Sequence, residues 1–140
     1  MPTATDADIR DLLDVNTIAV IGCSATPGKA AHDVPAYLQH QGYDIVPINP
    51  HHDAVLGRPA YDTLADVSER IDLVDVFRPS EEVSGIVDAV LDRVAERGDV
   101  RGLWLQRGIR DDEAATRARE AGLTVVQDRC LKVTHQQFRG

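Results

Sequence analysis

Residues 17–29 read TIAVIGCSATPGK, and this stretch decides the fold. A short apolar run (Ile18, Ala19, Val20, Ile21) passes directly into a turn rich in Gly, Ser, Thr and Pro, which opens a helix at about Ala30. Strand, glycine turn and helix start together make an anion site. The first amides of a helix have no internal acceptor, and the helix dipole puts partial positive charge at that end. Gly22 and Gly28 carry no side chain to block an approaching phosphate, so a phosphate-bearing small molecule is the expected ligand class.

Known phosphate motifs narrow the choice. A nucleotide-hydrolysing P-loop needs G-x-x-x-x-G-K followed by Ser or Thr, whereas five residues separate Gly22 from Gly28 here and Ala30 follows Lys29. The dinucleotide fingerprint G-x-G-x-x-G is broken by Ser24 at its second glycine. The second strand, residues 43–49, closes on Asn49 and Pro50 instead of the acidic residue that grips an NAD ribose. A small NAD(P)-dependent oxidoreductase using the same cleft is therefore the alternative reading, not the first.

Outward from this stretch, strands and helices alternate. Thr5 and Asp8 form a cap signature ahead of a helix over residues 6–14 with an apolar face of Ile9, Leu12 and Leu13. Residues 30–41 form a helix that tolerates Pro35 only in its first turn, and Gly42 ends it. Pro59 limits residues 57–61 to a short edge strand. Residues 73–77 are nearly all apolar, as expected of a strand covered on both faces, with Asp75 as an unexplained interruption. Ser80 caps a helix carrying Val83, Ile86, Val87, Val90 and Val94 at helical spacing, closed by Gly98. A strand over 100–106, a helix over 112–121 and a strand over 123–127 follow. The pattern predicts a Rossmann-like α/β fold, a doubly wound parallel sheet with helices on both faces and ligands beyond the carboxyl ends of the strands.

Composition bounds the partners. The 140 residues suit one domain spanning 1–140. The acidic start and the lack of a long apolar run predict a cytoplasmic protein with no membrane partner. A net charge of −8 argues against nucleic acid and anionic lipid. Of 23 acidic residues 17 are Asp, and only Lys29 and Lys132 are lysines, which we read as halophilic adaptation to a salty cytoplasm. Cys23 and Cys130 are too few for a disulfide framework and lack metal-ligand spacing. His51, His52 and Asp53 read as a solvated turn with no metal, and His32 as a capping or packing histidine, since no nucleophile is paired with it. No catalytic residue is assigned.

The strand ends read VIGCSATPGKAAHDVPAYL, GYDIVPINP, LVDVFRPSEEV, LWLQRGI and VVQDRC. In this order and spacing, over roughly residues 8–135, the chain resembles the small single-domain coenzyme A-binding proteins related to the N-terminal domain of the succinyl-CoA synthetase alpha subunit. That resemblance implies a parallel sheet of strand order 3-2-1-4-5-6 and coenzyme A, or an acyl-CoA, as ligand. It further implies that Gly22, Cys23, Ser24, Pro27 and Lys29 lie at the diphosphate and that Asn49 and Pro50 face the nucleotide end. Phe77, Arg78, Gln106 and Gly108 would complete the cleft. Cys23 departs from the small residue usual in the family and opens the idea of thiol chemistry, against which the reading as a small buried cysteine is favoured; Thr134 departs from an acidic residue before His135. The synthetases act through a phosphorylated histidine in a further domain without counterpart here, so the expected role is a non-catalytic binding or regulatory module, alone or beside an unidentified protein partner.

Overall fold

The computed structural model describes residues 4–139; Met1 to Thr3 and Gly140, at the ends of the expected 1–140 span, lie outside the described residues. Helix α1 (Asp6–Leu13) starts as expected, with Thr5 Oγ1 accepting from the Asp8 amide and Asp8 returning the bond to the Thr5 amide. Strands β1 (Thr17–Ile21), β2 (Asp44–Ile48), β5 (Leu73–Val76), β6 (Gly102–Leu105) and β7 (Thr124–Val126) form one parallel sheet in the order β2-β1-β5-β6-β7.

Strand parity builds two apolar layers. On one face Ile18, Val20, Ile45, Leu73, Trp104 and Val126 pack under α1, α2 (Ala30–His40) and α5 (Leu131–Arg139). On the other Ala19, Val46, Ile48, Val74, Val76, Leu103, Leu105 and Val125 pack under α3 (Val83–Arg97) and α4 (Asp112–Glu120). The doubly wound α/β class follows from this alternation.

The expected outermost strand over 57–61, and with it the six-strand order, needs correction. Two residues each of β3 (Ala54–Val55) and β4 (Arg58–Pro59) form a hairpin, and only Tyr61 bridges to Ile48 of the main sheet. The Tyr61 amide donates to Pro47 O at 3.0 Å and the Asn49 amide donates to Tyr61 O at 2.9 Å. Two residues earlier on each strand, the donors that would continue this ladder belong to Pro47 and Pro59, which have no N–H. The edge therefore stops at one rung.

Two helices also differ from expectation. Ser80 does not cap its own helix: a 3-10 turn, Ser80–Glu82, precedes α3, and Ser80 Oγ accepts from the Arg110 amide at 2.9 Å. Helix α5 escaped the sequence reading because two of its inward residues are polar. Thr134 and His135 share the inner face with Leu131 and Phe138, satisfied by Arg129 Nε donating to Thr134 Oγ1 at 3.0 Å and by a 2.7 Å hydrogen bond between Tyr37 Oη and His135 Nδ1. No helix among the described residues is long and apolar enough to cross a membrane.

Candidate functional site

The carboxyl ends of β1, β2 and β5 open into a cleft of about 590 Å³, within the range of small-molecule sites. The turn after β1 supplies one wall. Gly22 has φ +84, and a Cβ there would stand 2.9 Å from Arg78 Cδ and 3.2 Å from Phe77 O, so the first turn position requires glycine on two counts.

Pro35 explains how the turn is held. It is the sixth residue of α2, not in the first turn, and its missing N–H leaves the Ala31 carbonyl without its helical donor. The Ser24 amide takes that place, donating to Ala31 O at 2.9 Å. The proline thus frees, inside the helix, the acceptor that anchors the turn. Ser24 Oγ accepts from the Thr26 amide at 3.0 Å and Asp33 Oδ1 accepts from the Gly28 amide at 3.1 Å. The amides of Ala25, Ala30 and Ala31 have no acceptor among the described residues, and Ala25 and Ala31 line the cleft. Donors without partners at a helix start are the chemistry of an anion site.

The charged side chains around the turn fall into two groups. Lys29 occupies the N-cap position of α2 with an exposed side chain and lines the cleft. Arg78 lines it too, but is engaged by Glu82 through Nε–Oε1 at 3.1 Å and Nη2–Oε2 at 2.7 Å; that bond holds the Glu82 carboxyl below its ordinary value. His32 Nδ1 lies 3.0 Å from Asp33 Oδ1. The His32 bond first, and the Gly28 amide second, hold the Asp33 carboxyl low.

Of the residues singled out in the sequence, Gly22, Ser24, Lys29, Asn49, Pro50, Phe77 and Arg78 line this cleft. The other four do not. Cys23 is fully buried in the α1, α2 and α5 layer, where burial, and then the Asp75 carboxylate, push its thiol up to about 12. Only its carbonyl serves the turn, accepting from Asn49 Nδ2 at 2.9 Å. The burial agrees with the favoured reading of Cys23 as a packed cysteine and speaks against thiol chemistry there. Pro27 shapes the exposed crest of the turn. Gln106 is buried, its Oε1 accepting from the Leu131 amide at 3.1 Å, and the Gly108 amide donates to Asp128 Oδ1 at 2.6 Å. These two belong to the junction that seats α5.

Sequence reasoning missed His51, His52 and Asp62, which also line the cleft. The histidines read as a solvated turn, and nothing local linked Asp62 to the glycine turn 34 residues away from it, counting from Gly28. The signal for the histidines was present in Asn49. Its Nδ2 holds the Cys23 carbonyl while its Oδ1 accepts from the His51 amide at 2.8 Å, so one amide joins the two walls.

A doubly wound sheet with a glycine turn and a cleft at the end of its first strand defines a Rossmann-like α/β domain. The chain belongs to the CoA binding domain family, whose sequence pattern matches residues 16–136. It is 36% identical over 136 residues to protein YneT of Bacillus subtilis (strain 168), covering 96% of this chain and 97% of that one. It is 31% identical over 96 residues to acetate–CoA ligase [ADP-forming] II of Archaeoglobus fulgidus, covering 67% of this chain but 14% of the ligase. Among solved structures, a protein from Pyrococcus horikoshii OT3 superposes with TM-score 0.88 at 34% identity, over 97% of this chain and 93% of that one.

Proposed function

We propose that the cleft binds coenzyme A or an acyl-CoA and that the chain acts as a binding or regulatory module without catalysis of its own. The observation that carries this reading is the anchored turn of residues 22–29 and the helix start that follows it, where Ala25 and Ala31, whose amides have no acceptor among the described residues, line the cleft beside Lys29 in a chain of the CoA binding domain family. A role without catalysis is supported by the residues nearest the turn: the Cys23 thiol faces the apolar layer and His32 is held by Asp33. The similarity to one short part of a much longer acetate–CoA ligase fits a module that works alone or beside a partner.

Isothermal titration of the reduced protein with CoA, NADPH and ATP, in dilute and molar salt, tests the reading. Saturable binding of CoA in preference to both others is expected; preference for NADPH would instead establish the oxidoreductase alternative. Lys29→Ala should weaken CoA binding by about tenfold, the scale of one charge-assisted hydrogen bond, and unchanged affinity would remove Lys29 from the site.

A further inference from the structure

The end of the second strand is where Rossmann-like folds read the ribose: an acidic residue there favours a free hydroxyl, a cation favours a ribose phosphate. This chain has neither an acid nor a permanent cation at that point. It has Asn49 and Pro50, followed by His51 and His52, both exposed and both lining the cleft.

Three features make the pair more than a surface turn. Its position is fixed relative to the phosphate turn, because Asn49 donates to Cys23 O and accepts from the His51 amide. The remaining cationic side chains of the cleft are Lys29, which lies at the helix start where the phosphate turn needs it, and Arg78, which Glu82 already engages. The acidic groups nearby are Asp62 and Glu82 on the cleft wall and Asp53 on the histidines' own turn. On a chain of net charge −8, a polyanion must be drawn by local positive charge, and among the described residues lining this end of the cleft the imidazoles are the groups that can supply it.

We propose that His51 and His52 form a titratable wall that selects ligands carrying a ribose phosphomonoester over the same ligands without it, and that this selection strengthens as pH falls from 8 to 6. The inference rests on the CoA reading and deepens it: CoA carries such a group and dephospho-CoA does not. Imidazole gains its charge between pH 8 and 5, while a phosphomonoester takes its second charge near pH 6. The two charges coexist best close to pH 6, and the attraction fades as the imidazoles lose their protons.

The test is titration of the full chain with CoA and with dephospho-CoA at pH 6, 7 and 8. We expect CoA to bind about tenfold more tightly than dephospho-CoA at pH 6, the scale of one charge-assisted contact, and the advantage to shrink to about twofold at pH 8. In His51→Gln/His52→Gln the advantage should be small and flat with pH. In His51→Lys, which places a permanent cation there, it should stay large at all three pH values, and this single variant decides the matter if the double one does not fold. Equal binding of the two ligands, or an advantage that ignores pH in the native chain, overturns the histidine wall and leaves CoA binding intact. Failure of the native chain to bind either ligand at any pH overturns both.

Discussion

Two aspartates are buried on opposite faces of the sheet, and their surroundings could hardly differ more. Asp99, 6% exposed, meets Arg93, 4% exposed. Arg93 Nε and Nη2 donate to the Asp99 carboxylate at 3.0 to 3.2 Å, and the Ile71 amide donates to Asp99 Oδ2 at 3.0 Å. The other guanidinium donors go to the carbonyls of Leu64, Val67 and Glu69 at 2.9, 3.0 and 2.7 Å. All five donors of the arginine are used. Asp75, fully buried between Val20 and Trp104 in the sheet register, has no hydrogen-bond partner of good geometry for either oxygen. Burial pushes its carboxyl well above the ordinary range, opposed only by the Val76 amide. One aspartate forms an ion pair that staples the 64–71 connection to α3; the other is a buried acid whose proton the fold holds to higher pH.

The largest effect should come from breaking the satisfied site. Arg93→Ala leaves the buried Asp99 carboxylate with no cation and only the Ile71 amide, and takes a donor from the carbonyls of Leu64, Val67 and Glu69, so it should cost about 3–5 kcal/mol in urea unfolding. Replacing the whole pair, Arg93→Met with Asp99→Leu, should recover part of that loss because no charge is then stranded. It should not recover all of it, because the carbonyls of Val67 and Glu69 and the Ile71 amide then lose the partners they have in the native chain, while Leu64 O keeps the Val67 amide. A double variant as stable as the native chain would show that the carbonyl contacts contribute nothing.

Substitution of the unsatisfied site should act in the opposite direction. Asp75→Val keeps a strand-forming residue of similar size in an apolar layer and removes an unpartnered acid, so it should stabilise by about 1–3 kcal/mol. A loss of stability would mean that the carboxyl has a partner, such as a buried water, which the contrast with Asp99 denies.

That contrast also measures how far the sequence could be read. The glycine turn after β1, the alternation of strands and helices and the covered faces were legible because strand parity and helical spacing of Val, Ile and Leu are local signals, and residues 73–76 read as doubly covered despite Asp75. The cleft was legible where residues adjoin strand ends, as with Lys29, Asn49 and Arg78. What was not legible depended on partners distant in sequence. Pro35 reads as a helix defect until Ser24 is seen to take the carbonyl it frees. The edge strand fails because of a coincidence between Pro47 and Pro59 on neighbouring strands. Asp99 and Asp75 are the same letter in the chain, and only the fold gives one of them an arginine.

The smallest effect follows from the sign of the Asp75 shift. Its carboxyl is raised in the folded state, so the folded protein holds the proton over a pH range where the unfolded chain, with an ordinary aspartate near 3.9, has released it. Stability contributed by this group is complete below about pH 4 and is lost as pH rises toward the folded-state value. Within that window the slope approaches that of one proton, about 1.4 kcal/mol per pH unit. Asp75→Asn has a similar shape and no titration, so the difference between the two unfolding free energies, followed in urea from pH 4.5 to 5.5, isolates this group from the other carboxylates of an acidic chain. The native protein should lose ground to the variant steadily as pH rises. Parallel pH profiles would place a charged and satisfied carboxylate at residue 75, and the two buried aspartates would then be alike.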